Sequence, residues 1–414
     1  MLTTLTYFQI FSLFFYNIGL LVLPGLFSYK TFSLVLAIIT AVAIIKCLLS
    51  KKSKVDKRVI TVSLAFIIVI IMYRFVTPLQ YRITDPGYFS GEFLALSGQV
   101  FPAAITALLI ANQDEVQSSI KKSSLIVSVV FSVVSFYLVL NSKNKTSAGL
   151  ISTDVDMTYQ TLSYMAAFSA ALSDYYLLCF ANSNRRNLHL IAYLTIALDA
   201  AIVIISGGRG GFVLYCFFIL LSAYYALRKK GGIRNKNLKR IIYIVVAVII
   251  ASFVIKRIQS SQTVNSNGVE RVFSLFANYS DAGRNYLRNQ AFRSFWESPI
   301  IGHGFGSVFF ELGQYSHNIF TDLLVETGII GTGVFIVILY QFFRKAKMLI
   351  KEDSSDILWI FLFFSGFLML LFSSYYCAVV IMWWPVFLVY GKSKNTKTKP
   401  PSVEIETRVQ YELS

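Results

Sequence analysis

Runs of about twenty apolar residues recur from one end of this chain to the other, separated by short basic connectors. Nothing else in the sequence limits the fold as strongly, because a helix needs about 20 apolar residues to cross a bilayer. Inside hydrocarbon every backbone N–H and C=O must be paired within the protein, and a helix does this by itself. Hydrophobic residues make up 56% of the 414 positions and charged residues only 14%, which excludes a soluble protein. The fold class expected is all-α: a polytopic integral membrane helix bundle of about 12 transmembrane helices. The predicted spans are 6–28, 31–50, 59–77, 92–111, 124–141, 159–181, 188–206, 211–228, 241–255, 318–341, 356–376 and 378–391. They form one transmembrane domain, residues 1–391, with a long loop at about 256–316 inserted. A polar tail, 392–414, is expected to be disordered. The first apolar run has no basic leader and no small-residue cleavage site, so it reads as a retained span.

Net charge is +17, which in a soluble chain would suggest nucleic acid. Its distribution points elsewhere. Connectors 51–58, 120–122, 184–187, 228–240 and 344–351, the tail, and Lys46 hold 26 of the 38 Lys and Arg. All of these fall on one side of the predicted topology. The positive-inside bias puts that side, and both termini, in the cytoplasm, so the charge reflects orientation and no nucleic-acid partner is expected. The four cysteines (Cys47, Cys179, Cys216, Cys377) fall in or beside apolar runs without metal-ligand spacing. The three histidines (His189, His303, His317) form no ligand cluster, so no metal and no other cofactor is expected.

The long polar excursion lies on the opposite, outer side. Residues 281–333 hold Arg284, Arg288, Arg293, His303, His317 and a glycine-rich run. Between Arg284 and Trp296 the apolar residues fall near helical spacing, predicting an amphipathic helix at the outer surface that Ser298–Pro299 ends. Arg284 and Arg288, four residues apart, share a face of it. Two guanidiniums there fit a diphosphate clamp, and equally a stripe facing lipid headgroups. A second outer feature is SGGRGG at 206–211, with Arg209 in its middle. It reads either as a phosphate-binding turn or as an interhelical turn whose arginine snorkels. His317 stands where the chain re-enters the membrane, placed either to act as a general base or to make an interfacial hydrogen bond. Asn318, Asp322 and Glu326 follow on one helix face, with Glu326 deep in an apolar segment where an ionisable group is costly. Arg74, Asp174 and Asp199 lie inside spans and read as structural polar contacts.

Taken in order, SGGRGG, AGRNYLRNQAFRSFW, PIIGHGFG and HNIFTDLLVETGIIG resemble the O-antigen polymerase/ligase superfamily. The resemblance covers roughly residues 200–335. It implies a metal-independent glycosyltransferase at the periplasmic face of the bacterial inner membrane, with an undecaprenyl-diphosphate-linked glycan as donor. Arg209 and Arg284, with Arg288, would hold the diphosphate. His317 would be the base or orient the hydroxyl, and Glu326 would support it. Membrane lipid and a chain-length regulator protein are the further partners implied. A polymerase, joining the glycan to the non-reducing-end hydroxyl of another lipid-linked repeat unit, is the favoured reading. A ligase acting on lipid A–core is the alternative. A transporter or flippase fits less well, because the two halves of the chain show no repeat.

Overall fold

The computed structural model describes residues 2–22, 29–49, 59–65, 67–68, 96–140, 144–145, 151–152, 159–180, 186–228 and 282–393. Its helices in chain order are α1 (Leu2–Ile10), α2 (Ser12–Val22), α3 (Tyr29–Leu49), α4 (Phe101–Ile110), α5 (Asp114–Leu140), α6 (Tyr159–Cys179) and α7 (Arg186–Ser206). They continue as α8 (Arg209–Arg228), α9 (Ala282–Glu297), α10 (Ser307–Leu312), α11 (Ile319–Glu352), α12 (Ile357–Phe372) and α13 (Val380–Gly391). A two-residue antiparallel ladder pairs Asn144 with Ser152 and Lys145 with Ile151. Among the described residues, five helices (α5, α7, α8, α11 and α12) are long and apolar enough to cross a membrane. The chain is a multi-pass helical membrane protein. Most of predicted span 59–77, all of 241–255, loop residues 256–281 and the tail beyond 393 lie outside the described residues.

Several boundaries differ from the hydropathy reading, each for a local reason. The predicted span 6–28 is divided, because the chain turns at Phe11 with Phe14 N donating to Phe11 O (2.9 Å). Phe11 and Phe14, three residues apart, face one core, Phe11 against Phe131 (4.9 Å) and Phe14 against Phe168 (5.1 Å). α5 begins at Asp114, ten residues before the predicted span at 124. Asp114 and Glu115 occupy its first turn, where carboxylates complement the helix dipole. The lysines expected in connector 120–122 therefore sit on a helix. α11 likewise continues to Glu352 and carries 344–351, which was expected as a connector.

α6 is the centre of the bundle. Every residue from Leu162 to Leu177 is buried, a run rich in alanine and serine. Such small side chains let neighbouring backbones approach closely, which is how membrane helices gain packing energy when hydrophobic transfer no longer separates helix from lipid. α5, α7 and α8 surround it. Along the α5–α6 contact Ser128 Oγ donates to Ser169 O (2.6 Å) and Ser169 Oγ returns the bond to Ser128 O (2.8 Å). Asp199 of α7 is fully buried beside Ser132 and Ser169, a protein-facing position. Large apolar side chains on the outer flank of α11, including Val334, Val337 and Tyr340, stay exposed and suit lipid.

One end of the bundle is closed by charge. Lys121 Nζ lies 2.8 Å from Asp353 and 2.6 Å from Asp356, and Lys392 Nζ lies 2.8 Å from the other Asp356 oxygen. Asp356 also accepts from Trp359 Nε1 (2.9 Å). α5, the α11–α12 connection and the end of α13 are thus tied together. The two lysines are only 9% and 13% exposed. A 560 Å³ cavity opens beside them, lined also by Asn112, Gln117 and Ser393.

Candidate functional site

The opposite end is built from loops, and it begins at a broken helix. α11 has a non-helical residue in its third turn, Gly328, with φ 61° and ψ −160°. That conformation is open essentially to glycine alone. The break would orphan two helical hydrogen bonds inside an apolar segment, and residues 299–304 replace them. His303 N donates to Val325 O and Gly304 N to Glu326 O, both at 2.9 Å. On the other side of the break Ile329 N donates to Pro299 O (2.9 Å) and Ile330 N to Ile300 O (3.2 Å). The loop is spliced into the helix, which is how irregular backbone can be tolerated at membrane depth. The two strands of chain touch so closely that a Cβ on Gly302 would lie 2.4 Å from the Glu326 carbonyl carbon. One on Gly328 would lie 2.4 Å from that of Ile300. PIIGHG and ETG are therefore two sides of one joint.

Glu326 sits at this joint, 1% exposed. Tyr375 Oη donates to both its oxygens (2.7 and 2.9 Å), and Tyr376 Oη donates to Oε2 in a very short bond. Both tyrosines lie in the α12–α13 connection. Sequence reasoning passed over them; the only signal was a pair of tyrosines between two apolar runs.

His317 precedes the first residue of α11 by two positions. Asn318 caps the helix, its Oδ1 accepting from Phe320 N (3.0 Å) and Thr321 N (3.4 Å). The N-cap of α11 is thus Asn318 and not His317. His317 itself has φ 62°, the only positive φ at a non-glycine among the described residues. Left-handed backbone of this kind costs about 1–3 kcal/mol and persists where the surroundings enforce it. Asp322, fully buried, enforces it from one side by accepting from Ser316 N (2.8 Å). Tyr315 enforces it from the other, its ring 4.5 Å from the imidazole. The imidazole is half-buried and packs edge-on against the Tyr315 ring.

Arg284 and Arg288 lie on α9, the helix expected between Arg284 and Trp296, which ends at Glu297 before Ser298–Pro299. Leu287, Ala291 and Phe295 are buried, whereas Tyr286, Phe292 and Trp296 remain exposed. Arg284 and Arg288 are both half-buried, and the Arg288 Nε has no hydrogen-bond partner among the described residues. Arg293 is exposed on the same helix. His303 is a strut: its Nε2 lies 2.8 Å from Ser294 O and ties the spliced loop to α9.

Arg209 opens α8, directly after the α7–α8 turn. The glycines around it are used for packing. A Cβ at Gly210 would lie 2.1 Å from Tyr164 Oη, and one at Gly211 would lie 1.9 Å from Ser163 Oγ. Ser163 also donates to Gly208 O (2.9 Å). The turn is pressed onto α6, and Arg209 is the one side chain among its glycines that can reach outward.

Tyr164 is where the scattered pieces meet. Besides the Gly210 backbone, it feels the charge of Arg284 and bonds Ser373 Oγ at 2.9 Å. Ser373 O in turn accepts from Tyr315 Oη (2.7 Å), the ring beside His317. The arginine turn and the His317 loop are therefore joined through one hydroxyl cluster, with Arg284 of α9 within electrostatic reach of it. Among the described residues no group of three or more His, Cys, Asp or Glu could hold a metal ion.

Residues 194–336 match the family described as O-antigen ligase. This segment belongs to the O-antigen polymerase/ligase superfamily. The superfamily match begins in α7, takes in Arg209, Arg284, Arg288, the spliced loop and His317, and ends in α11. No curated protein and no solved structure matches the chain. The matched segment excludes Tyr164 and Ser373, which bond each other, and Tyr375 and Tyr376, which bond Glu326.

Proposed function

We propose that this membrane enzyme transfers a glycan from a polyprenyl-diphosphate carrier, of the undecaprenyl class, to a sugar hydroxyl at the outer face of the inner membrane. The observation that supports the reading is the link from the Arg209 turn through Tyr164 and Ser373 to the ring beside His317, with Arg284 within electrostatic reach of Tyr164. Breaking a glycosyl–diphosphate bond leaves negative charge on the departing diphosphate, and preorganised guanidiniums stabilise it without a metal. Arg209 and Arg284 take that role, with Arg288 beside them. His317, packed against Tyr315, takes the proton of the attacking hydroxyl or orients that hydroxyl. Glu326 is a supporting group, since tyrosine donors already occupy its oxygens.

The favoured acceptor is the non-reducing-end hydroxyl of another lipid-linked repeat unit, which makes the enzyme a polymerase working with a chain-length regulator. A ligase would present lipid A–core to the same machinery. Purified protein supplied with an undecaprenyl-diphosphate-linked oligosaccharide decides the matter. His317→Ala is expected to lower transfer about 10²–10⁴-fold, the range for a positioned acid–base group, and Arg284→Ala by a comparable factor. Undiminished transfer in both variants would refute the assignment. Longer glycan on the carrier marks a polymerase; glycan on added lipid A–core marks a ligase.

A further inference from the structure

We infer that Tyr164 and Ser373 are positioning residues that hold the arginine side of the site in register with the His317 side. The inference rests on the reaction proposed above, and neither residue lies within the family-matched segment.

The two sides come from different parts of the chain and have different anchors. Arg209 follows a glycine turn seated on α6, and His317 stands at the mouth of α11. A displacement of about 1 Å between them would separate the leaving group from the hydroxyl that replaces it, and such misplacements can cost about a hundredfold in rate. A rigid link between the sides would prevent it. Tyr164 is 2% exposed and Ser373 8%. Tyr164 Oη occupies the space a Cβ on Gly210 would need, so its position and that of the arginine turn are coupled by contact. Ser373 is a two-way joint. Its Oγ donates to Tyr164 Oη, and its backbone carbonyl accepts from Tyr315 Oη, whose ring flanks the imidazole. Ser373 itself is fixed by its N–H donating to Met369 O (2.9 Å) at the end of α12. A valine or alanine at 373 would pack as well and leave the Tyr164 hydroxyl without its donor. The hydroxyl chemistry is therefore specific to the link and not to the packing.

Two arms test this. In the first, Tyr164→Phe and Ser373→Ala each lower kcat about tenfold while the KM for the lipid-linked donor stays within twofold. Ser373→Thr, which keeps the hydroxyl, retains the wild-type rate. The double variant is no slower than the slower single one, because both remove the same hydrogen bond. Unchanged kcat in Ser373→Ala, or losses that multiply in the double variant, would overturn the inference. Should Tyr164→Phe fail to fold, the Ser373→Ala and Ser373→Thr pair still decides.

The second arm needs no turnover. Gly210→Ala pushes a methyl group against Tyr164 Oη, and the rate at which diethyl pyrocarbonate modifies His317, read by peptide mass spectrometry, should change at least threefold. In a Ser373→Ala background the same substitution should leave that rate unchanged. An equal response in both backgrounds, or none in either, means there is no link. If the wild-type chain transfers no glycan, the reaction assignment falls while this arm still settles the coupling.

Discussion

The two ends of the bundle solve the same problem, closing the ends of packed helices, with different chemistry. At the Lys121 end the helices run on past the apolar core, and side-chain ion pairs bind them together. At the His317 end a helix is interrupted, and backbone amides and carbonyls of a loop complete it. Ion pairs between long side chains tolerate small displacements. A backbone splice with glycine-to-carbonyl contacts tolerates almost none. The first kind of closure suits a clamp, and the second suits a place where groups must keep fixed directions.

The contrast is sharpest at the glycines. Gly302→Ala or Gly328→Ala should destabilise the protein by about 4 kcal/mol or prevent folding, since left-handed strain and a backbone collision add. Gly313→Ala has the same kind of φ but nothing within 4 Å of the new Cβ, so about 1 kcal/mol is expected. Thermal midpoints in detergent would show the difference; equal costs would deny the splice its role. At the other end, Lys121→Met should cost about 3 kcal/mol by stripping a partner from the buried Asp356 carboxylate. The protein that folds should transfer glycan at the wild-type rate. A slowed reaction would mean the two ends are coupled.

Smaller effects refine the comparison. Glu326→Gln keeps an acceptor for one tyrosine and should slow transfer about tenfold, the scale of one lost buried hydrogen bond of about 1.4 kcal/mol. A loss of a thousandfold would make Glu326 an acid–base group in its own right. The smallest effect is at Asp353. Burial raises its pKa, but hydrogen bonds from Lys121 and Ser355 outweigh that and hold it at about 2, below the ordinary 3.8. Its contribution is therefore complete above about pH 4 and is lost as pH falls through about 2. The carboxylate is 56% exposed, so the change is slight. Asp353→Asn should flatten that part of the stability–pH curve and leave the rest alone.

Hydropathy made the membrane class and most helix positions legible, and the order of polar motifs made the superfamily legible. Helix starts were missed where charge, not hydropathy, sets them, as at Asp114 and Glu115. The interruption of α11 was not readable, because ETG in an apolar run also suits an unbroken helix with one tolerated glycine. Only contact with PIIGHG distinguishes the two. Tyr164, Tyr315, Ser373 and Tyr375 carry no local signal: tyrosine and serine are ordinary in membrane helices, and their hydroxyls acquire meaning from partners more than forty residues away.

By itself, then, the sequence determined a helical bundle in a bilayer, because unpaired backbone is so costly in hydrocarbon that apolar runs of this length pair their own N–H and C=O groups as helices. It also determined which arginines and which histidine were available, since local polarity marks them against an apolar background. Tertiary structure alone decided that 299–304 would complete a broken helix and that a tyrosine of α6 would stand between the glycine turn and His317. Both depend on long-range contacts whose geometry is fixed by packing, and no local periodicity encodes them.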